Sequence, residues 1–241
     1  GHSTMANLDA VYDNVAIGYR SLVGELGESN HGNVGVGGYS LAKITGGDFN
    51  TTIGDQAGRS VTSGDHNVAD GHNSLSGLSD ITGERNIGIG SYAMGEVSSG
   101  SHNIGIGSNS LQNISSGDGN IAIGDSSMIN TVLSYNIAIG INSMKENVTG
   151  MQNTAIGHQT MRYNNSGSRN TALGYQSLTG TAPAANSDNT AIGDQSMTNV
   201  TTGSNNISIG SGAGTSITTE DDCVLIANTG STVSVNGEIH L

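Results

Sequence analysis

Seven aspartates in the predicted turns are the side chains with which this sequence could cleave a glycan. They are Asp55, Asp65, Asp80, Asp118, Asp125, Asp188 and Asp194. A glycosidase needs two carboxyl groups about 5 to 10 Å apart in different environments. These aspartates are spread over short turns, and aromatic residues make up 3% of the chain, with no tryptophan to stack on a sugar. A glycan-cleaving enzyme is therefore an alternative, and the sequence favours a protein without catalytic activity.

Two histidines and one glycine-rich run raise the question of a metal or a cofactor. His66 and His102 each precede a repeated asparagine, and on a threefold axis such a residue would form a ring of three imidazoles. No His-x-His or Cys/His cluster accompanies them, so loop histidines are expected. The run Gly88–Ala93 matches a loose dinucleotide fingerprint, but no helical periodicity follows it. We therefore expect no metal and no cofactor.

The composition excludes several classes of protein. The 241 residues include 38 glycines, one proline and one cysteine, which argues against an ordinary enzyme core, collagen and a disulfide framework. The net charge of −13 argues against nucleic acid or an anionic membrane surface as a partner. No apolar run approaches the roughly 20 residues needed to span a bilayer, so no membrane insertion is expected.

Nearly the whole chain consists of one repeat. An Asn-x-small-Ile-Gly unit recurs twelve times at intervals of 16 to 19 residues, beginning at Asn14, Asn33, Asn50, Asn67, Asn86, Asn103, Asn120, Asn136, Asn153, Asn170, Asn189 and Asn206. With the asparagine as position 0, position 1 is β-branched, position 2 is small, position 4 is glycine and position 8 is Leu or Met in ten units. This period is too short for a pair of helices and is typical of one turn of a β-solenoid. The sequence predicts an all-β fold, a parallel β-solenoid.

Alternation along each short strand places positions 1 and 3 on one face and position 2 on the other. We expect the position-3 isoleucines to form the structural core: Ile17, Ile53, Ile89, Ile106, Ile123, Ile139, Ile156, Ile192 and Ile209. Asp70 stands in this column, so a local bulge or a charged partner is expected there. The small position 2 would let a second chain approach, and glycine at position −3 predicts a left-handed turn. The repeated asparagine either forms an amide ladder between turns or caps its own turn.

Three segments are predicted. Residues 1–5 are typical of an expression-tag remnant, and residues 6–214 form the repeat domain. Residues 215–241 form a closing β segment, with strands expected at 223–227 and 231–236. Because three apolar positions per turn make a thin core for a chain of this length, a homo-oligomer is expected, with threefold symmetry as the simplest arrangement.

The units Asn153–Met161 and Asn170–Leu178 resemble the head repeats of trimeric autotransporter adhesins, and they are even more similar to related repeats of bacteriophage tail fibres. This resemblance spans about residues 14–214 and implies a left-handed β-roll, a homotrimeric rod, export and attachment to a cell surface. The units are a few residues longer than those of adhesin heads, which favours the tail-fibre branch. A virion tail fibre is therefore the expected location, and a bacterial cell surface is the alternative.

Receptor contacts are expected where the repeat varies, because uniform positions cannot encode a particular receptor. Tyrosine, arginine and amide side chains suit contacts with sugars and proteins. The candidates are Arg162, Tyr163, Asn164, Asn165, Tyr175, Gln176, Asp194 and Gln195. The expected partner is a bacterial surface glycan or an outer-membrane protein. Alternatives are an adhesin head that binds host matrix proteins, a glycan-cleaving tailspike and an ice-binding solenoid.

Overall fold

The computed structural model describes residues 8–24, 28–77, 79–130, 133–181, 183–226 and 239–240. It forms two compact units, residues 1–120 and 121–241. The strands of the first unit are β1 (Leu8–Tyr12), β2 (Val15–Ile17), β3 (Glu28–His31), β4 (Val34–Val36), β5 (Thr51–Ile53), β6 (Val68–Asp70), β7 (Ile87–Ile89) and β8 (Ile104–Ile106). Those of the second unit are β9 (Ile121–Ile123), β10 (Ile137–Ile139), β11 (Thr154–Ile156), β12 (Thr171–Leu173), β13 (Thr190–Ile192), β14 (Ile207–Ile209), β15 (Val224–Ile226) and β16 (Ile239–His240).

Each repeat contributes one strand to a parallel sheet, which confirms the predicted β-solenoid of about twelve turns. Neighbouring strands pair in register: Ile87, Gly88 and Ile89 of β7 lie beside Ile104, Gly105 and Ile106 of β8. β1 and β3 form a separate parallel pair. The predicted strand at 223–227 is present as β15, which continues the register of β14 beyond residue 214. Residues 1–5 and the strand expected at 231–236 lie outside the described residues.

The interior of the turns is filled from positions 2, 7 and 8 and, in several turns, position 11, and the prediction that position 3 forms the core is wrong. Ala138, Ala155 and Met161 are fully buried. The position-3 isoleucines point outwards: Ile17, Ile53, Ile89, Ile123, Ile156 and Ile209 are exposed, and Ile106, Ile139 and Ile192 are half-buried. The physical reason is the turn at position 4, which brings the small residue at position 7 and the Leu or Met at position 8 beneath position 2. In the repeat units the Leu or Met at position 8 leaves room there only for a small side chain.

Close packing inside the turn also explains why position 2 is small. The small residues at this position therefore do not indicate the close approach of a second chain, as the sequence had suggested. A Cβ added to Gly105 would stand 2.9 Å from Cγ of Met94 and 3.2 Å from the Ser110 carbonyl oxygen. At position −3 the predicted left-handed turn is absent: a Cβ on Gly100 would instead meet the backbone oxygen of Gly117 in the next turn. Left-handed residues instead stand at positions −1, 6 and 8, where φ is 57° for His66, 56° for Tyr39 and 50° for Leu41.

The repeated asparagines form the predicted ladder between turns, and most of their partners are backbone groups. Nδ2 of Asn153 donates to the Gly167 carbonyl oxygen at 2.8 Å, and Oδ1 of Asn153 accepts from the backbone N–H of Asn170 at 3.0 Å. Nδ2 of Asn170 also donates to Oδ1 of Asn153 at 3.1 Å. Because these side chains are fully buried, each ladder bond satisfies polar groups that water does not reach. Cys223 takes the asparagine position beside β15, where its backbone N–H donates to Oδ1 of Asn206 at 2.9 Å.

Candidate functional site

The outer sheet face, defined as positions 1 and 3 of the strands β2 and β4–β15, is a candidate interaction surface in each of the two units. Because the strands pair in register, the side chains of each position form a row that runs from turn to turn. Most members are Val, Ile or Thr, and side chains such as Val15, Ile53, Ile156 and Ile207 are between 37% and 45% exposed. A contiguous apolar surface of this kind typically marks an interface.

Asp70 interrupts this face without any distortion of the sheet. It pairs in register with Ile53 on one side and with Ile89 on the other. The bulge or partner expected from the sequence is unnecessary, because position 3 faces outwards and the carboxylate is exposed. The outer sheet face thus carries one negative charge among apolar neighbours in the first unit.

Four of the predicted receptor residues share the corner that follows the position-4 glycine. Tyr175 is 47% exposed and stacks on His158 with ring centroids 5.7 Å apart. Gln176 donates through Nε2 to Oε1 of Gln159 at 2.7 Å, and Gln195 donates in the same way to Gln176 at 3.3 Å. Asp194 is exposed beside this row of amides. Amides held by one another present their remaining donors and acceptors in fixed directions.

The other four predicted residues divide into two kinds. The Arg162 guanidinium lies 5.0 Å from the centroid of the Tyr163 ring, a cation–π contact between two half-buried residues. Asn165 is half-buried and donates to the Glu146 carbonyl oxygen at 3.4 Å. Asn164, in contrast, is fully buried, so the prediction of a receptor contact there is wrong. Its side chain caps a turn, because Oδ1 accepts from the N–H of Gly167 at 3.0 Å and Nδ2 donates to the carbonyl oxygen of the same residue at 3.1 Å.

Thr179 connects the two surface groups of this unit. Its hydroxyl donates to the Gln176 carbonyl oxygen at 2.6 Å, and its own carbonyl oxygen accepts from the backbone N–H of Tyr163 at 3.1 Å. Thr179 thus links the backbone of Tyr163 to the turn that carries Tyr175 and Gln176.

Several carboxylates considered for catalysis serve the stacking of turns. Oδ1 of Asp65 accepts from the backbone N–H of Asp48 at 2.7 Å, and Oδ1 of Asp118 accepts from that of Ser101 at 2.8 Å. Asp188 receives two hydrogen bonds from Arg169, at 2.6 and 2.8 Å, which lower the pKa of its carboxyl group and raise the pKa of Arg169. Among the described residues no group of three His, Cys, Asp or Glu side chains is placed to hold a metal ion. The ring of His66 stacks on Phe49 at 5.2 Å.

Two further groups near the end of the described chain have altered acidity. Backbone N–H donation, chiefly from Thr218, lowers the pKa of Glu220. Burial raises the pKa of the Cys223 thiol, and the neighbouring carboxylates add to this effect, so the thiol stays protonated at neutral pH. Neither group is close in sequence to the predicted receptor residues at 162–165, 175–176 and 194–195.

Sequence reasoning missed that the side chains at positions 1 and 3 lie on the outer face of the sheet. A signal was present: the two units with glycine at position 8, Gly58 and Gly214, are also those with larger residues at position 2, Thr52 and Ser208. This compensation in size indicates that positions 2 and 8 contact each other inside the turn. Positions 1 and 3, on the opposite face of the strand, must then lie outside. Of the residues that the structure describes, none belongs to a helix long and apolar enough to cross a membrane. Comparisons with protein-family models, curated proteins and solved structures found no match to this chain.

Proposed function

We propose that this chain is a structural and adhesive fibre segment, which assembles as a homotrimeric rod and attaches to a bacterial surface glycan or outer-membrane protein without catalysis. The observation that carries the proposal is the outer sheet face, whose exposed or half-buried side chains are mostly β-branched and recur from turn to turn. Burial of such residues against other copies contributes about 25 cal/mol for each Å² of apolar surface removed from water. The left-handed roll and the location on a virion tail, or on a bacterial cell surface, follow from the resemblance of the repeats.

Attachment is assigned to the tyrosine surface, defined as Arg162, Tyr163, Asn165, Tyr175 and Gln176. It lies outside positions 1 and 3, so assembly through the outer sheet face leaves it accessible. Its rings and amides are already positioned by neighbouring side chains, which reduces the entropy lost on binding. In this proposal the uniform outer sheet face holds the copies of the chain together, and the variable tyrosine surface recognises the receptor.

Attachment is tested with labelled protein on a panel of bacterial strains. The double variant Tyr163→Ala and Tyr175→Ala should weaken attachment at least about tenfold, which corresponds to 1.4 kcal/mol, with a nearly unchanged Tm. The matched control is Tyr135→Asn, because Tyr135 is 64% exposed at position −1, where asparagine also occurs at Asn205. Equal attachment by the tyrosine double variant and the wild type would refute the assignment.

A second experiment distinguishes adhesion from glycan cleavage. Purified capsule or O-antigen is incubated with the protein, and new reducing ends are measured. The proposal expects none above the level of a heat-denatured sample. A steady release of reducing ends would replace the adhesive function with that of a depolymerase.

A further inference from the structure

The lysines and arginines fall on two edges of the turn. Arg85 and Arg169 stand at position −1, and each is bonded to a carboxylate, with Arg85 Nη1 2.9 Å from Glu84 Oε2 and Arg169 Nε 2.6 Å from Asp188 Oδ1. The remaining five stand at positions 6, 9 and 10, which are Arg20, Lys43, Arg59, Lys145 and Arg162. In a chain of net charge −13, most of the positive charge therefore stands at positions 6, 9 and 10 of the repeat.

Three of these five gather around one tyrosine in the first unit. The Arg20 guanidinium lies 5.8 Å from the centroid of the Tyr39 ring, and that of Arg59 lies 5.9 Å from it. Arg20 precedes Tyr39 by one turn and Arg59 follows it by one turn, so the ring stands between two cations. Tyr19 packs edge-on against Tyr39 with centroids 5.4 Å apart, and Lys43 lines the same depression as Arg20, Tyr39 and Arg59. We name Arg20, Tyr39, Lys43 and Arg59 the basic cluster.

A wider depression adjoins the basic cluster. It has a volume of about 470 Å³, within the range of about 300 to 1,000 Å³ that is usual for small-molecule sites. Arg20 and Lys43 line it together with the small apolar residues Val23, Gly24 and Ala42. Its polar groups come from the hydroxyls of Thr45 and Thr62 and from the Asp80 carboxylate. The surface thus combines an apolar patch, hydroxyls and a carboxylate with adjacent cations.

The positive charges of Arg20, Lys43 and Arg59 repel one another, and a bound anion would relieve this repulsion. Lys43 lies 3.9 Å from Asp80, but both side chains are largely exposed, so this pair contributes little. Within the described part of the chain, neither Arg20 nor Arg59 has a carboxylate oxygen within 4 Å. The interactions of the two guanidinium groups are instead with the Tyr39 ring and, for Arg59, with Oε1 of Gln56 at 3.0 Å. Both groups therefore keep donors for an external acceptor.

We propose that the basic cluster binds a carboxylate-bearing sugar of an acidic polysaccharide. The guanidinium of Arg20 or Arg59 would receive the carboxylate, because its planar donors match the two oxygens. The C–H face of the ring would pack on Tyr39 and Ala42, and its hydroxyls would bond to Thr45, Thr62 and Asp80. An uncharged sugar leaves the cations without a partner, and a sulfate or phosphate alone does not use the apolar and hydroxyl groups. The site therefore selects acidic sugars.

This inference rests on the proposed attachment function and names its ligand class at a second surface, distinct from the tyrosine surface. Its residues stand at positions 6, 9 and 10, away from positions 1 and 3, so assembly leaves them accessible. Binding of defined saccharides by purified protein requires no cells. Failure of attachment and failure of this site are consequently separate results.

The test is calorimetric titration of the full chain with oligogalacturonate and with oligosialic acid. The double variant Arg20→Gln and Arg59→Gln should weaken binding of one or both at least about tenfold. Glutamine is native at the same positions of other turns, as Gln56 and Gln112, so folding is preserved. The matched control, Arg85→Gln and Arg169→Gln, removes the same charge from the other edge, where Gln152 is native, and should change affinity less than about twofold.

Methyl-esterified oligogalacturonate, which has the same ring without the charge, should not bind measurably. Tyr39→Asn should weaken binding of the acidic forms, because it removes the ring and keeps a residue that tolerates the left-handed backbone at φ 56°. The proposal is overturned if neither acidic oligosaccharide binds or if the ester binds equally well. Equal losses in the two arginine double variants would also overturn it, because they would show a response to net charge alone.

Discussion

The interior of each turn and the outer sheet face use opposite sides of the same three-residue strands. On the interior side, Ala155 is fully buried although it is small, whereas on the outer side Ile156 is 37% exposed although it is large. The difference shows that available volume, and not hydrophobicity alone, decides which residue lies inside such a narrow turn. It also shows that the isoleucine-rich position 3 lies outside the interior of the turn.

The largest expected effect comes from adjacent substitutions on the two sides of one strand. Ala155→Asp places a carboxylate in a site without water or a partner, which costs several kcal/mol, roughly enough to unfold the turn. Ile156→Asp places the same group on the outer face and should preserve the β-sheet circular dichroism spectrum while it weakens self-association. Thr149→Asp, at an exposed loop position, is the control for added charge. Comparable unfolding by Ala155→Asp and Ile156→Asp would contradict the assignment of the two sides.

A second prediction concerns the buried amide ladder. Asn153→Leu keeps a similar volume but leaves the Gly167 carbonyl oxygen and the Asn170 N–H without the partners that they have in the wild type. The expected loss is about 2 to 5 kcal/mol, because these are buried polar groups. Chemical denaturation measures it, with Gln152→Asn at the neighbouring exposed position as control. A loss below that of the control would show that the ladder contributes no stability.

The sequence predicted the period, the strands at positions 1 to 3 and their parallel stacking, because these follow from the regular spacing of Asn14 to Asn206 and from strand alternation. For the repeated asparagines it left a ladder and a turn cap as alternatives, and the structure shows the ladder. It did not predict which side is inside. That depends on how the bend at position 4 folds Ser177 and Leu178 beneath Ala172, a three-dimensional relation. The burial of Asn164 was missed for a similar reason, since its role as a turn cap depends on the backbone of Gly167.

A smaller effect is expected from a leucine at position 58, where Gly58 compensates for the larger residue Thr52. A Cβ on Gly58 would stand 2.6 Å from Cγ2 of Thr52, so Gly58→Leu overpacks the turn and should cost about 1 to 3 kcal/mol. Leucine itself is compatible with the backbone, since Leu41 has φ 50° at the same position. Thr52→Ala together with Gly58→Leu should therefore recover most of the lost stability in a double-mutant cycle. Additive losses would show that positions 2 and 8 do not share the interior.

The smallest effect is expected at the exposed edge, where Arg169 and Asp188 pair. Hydrogen bonding from Arg169 lowers the pKa of Asp188 below its ordinary value of 3.8. The folded-state pKa is below the unfolded one, so the stabilising contribution is complete above the ordinary carboxyl range and is lost as the pH falls through the folded-state value. Asp188→Asn should lower Tm slightly at pH 7, and the difference should disappear in strong acid and shrink in high salt. A difference that persists in strong acid would assign the effect to packing.

Sedimentation equilibrium of the wild-type chain tests the central claim most directly, which is that the outer sheet face is covered by other copies of the same chain. The account predicts a particle of three times the 24.3 kDa chain mass at micromolar concentration. Ile139→Asp with Ile156→Asp should raise the concentration at which it dissociates by at least about a hundredfold, because each added carboxylate must lose its water. A wild-type chain that sediments as a folded monomer at micromolar concentration, with the outer sheet face open to solvent, would contradict the account.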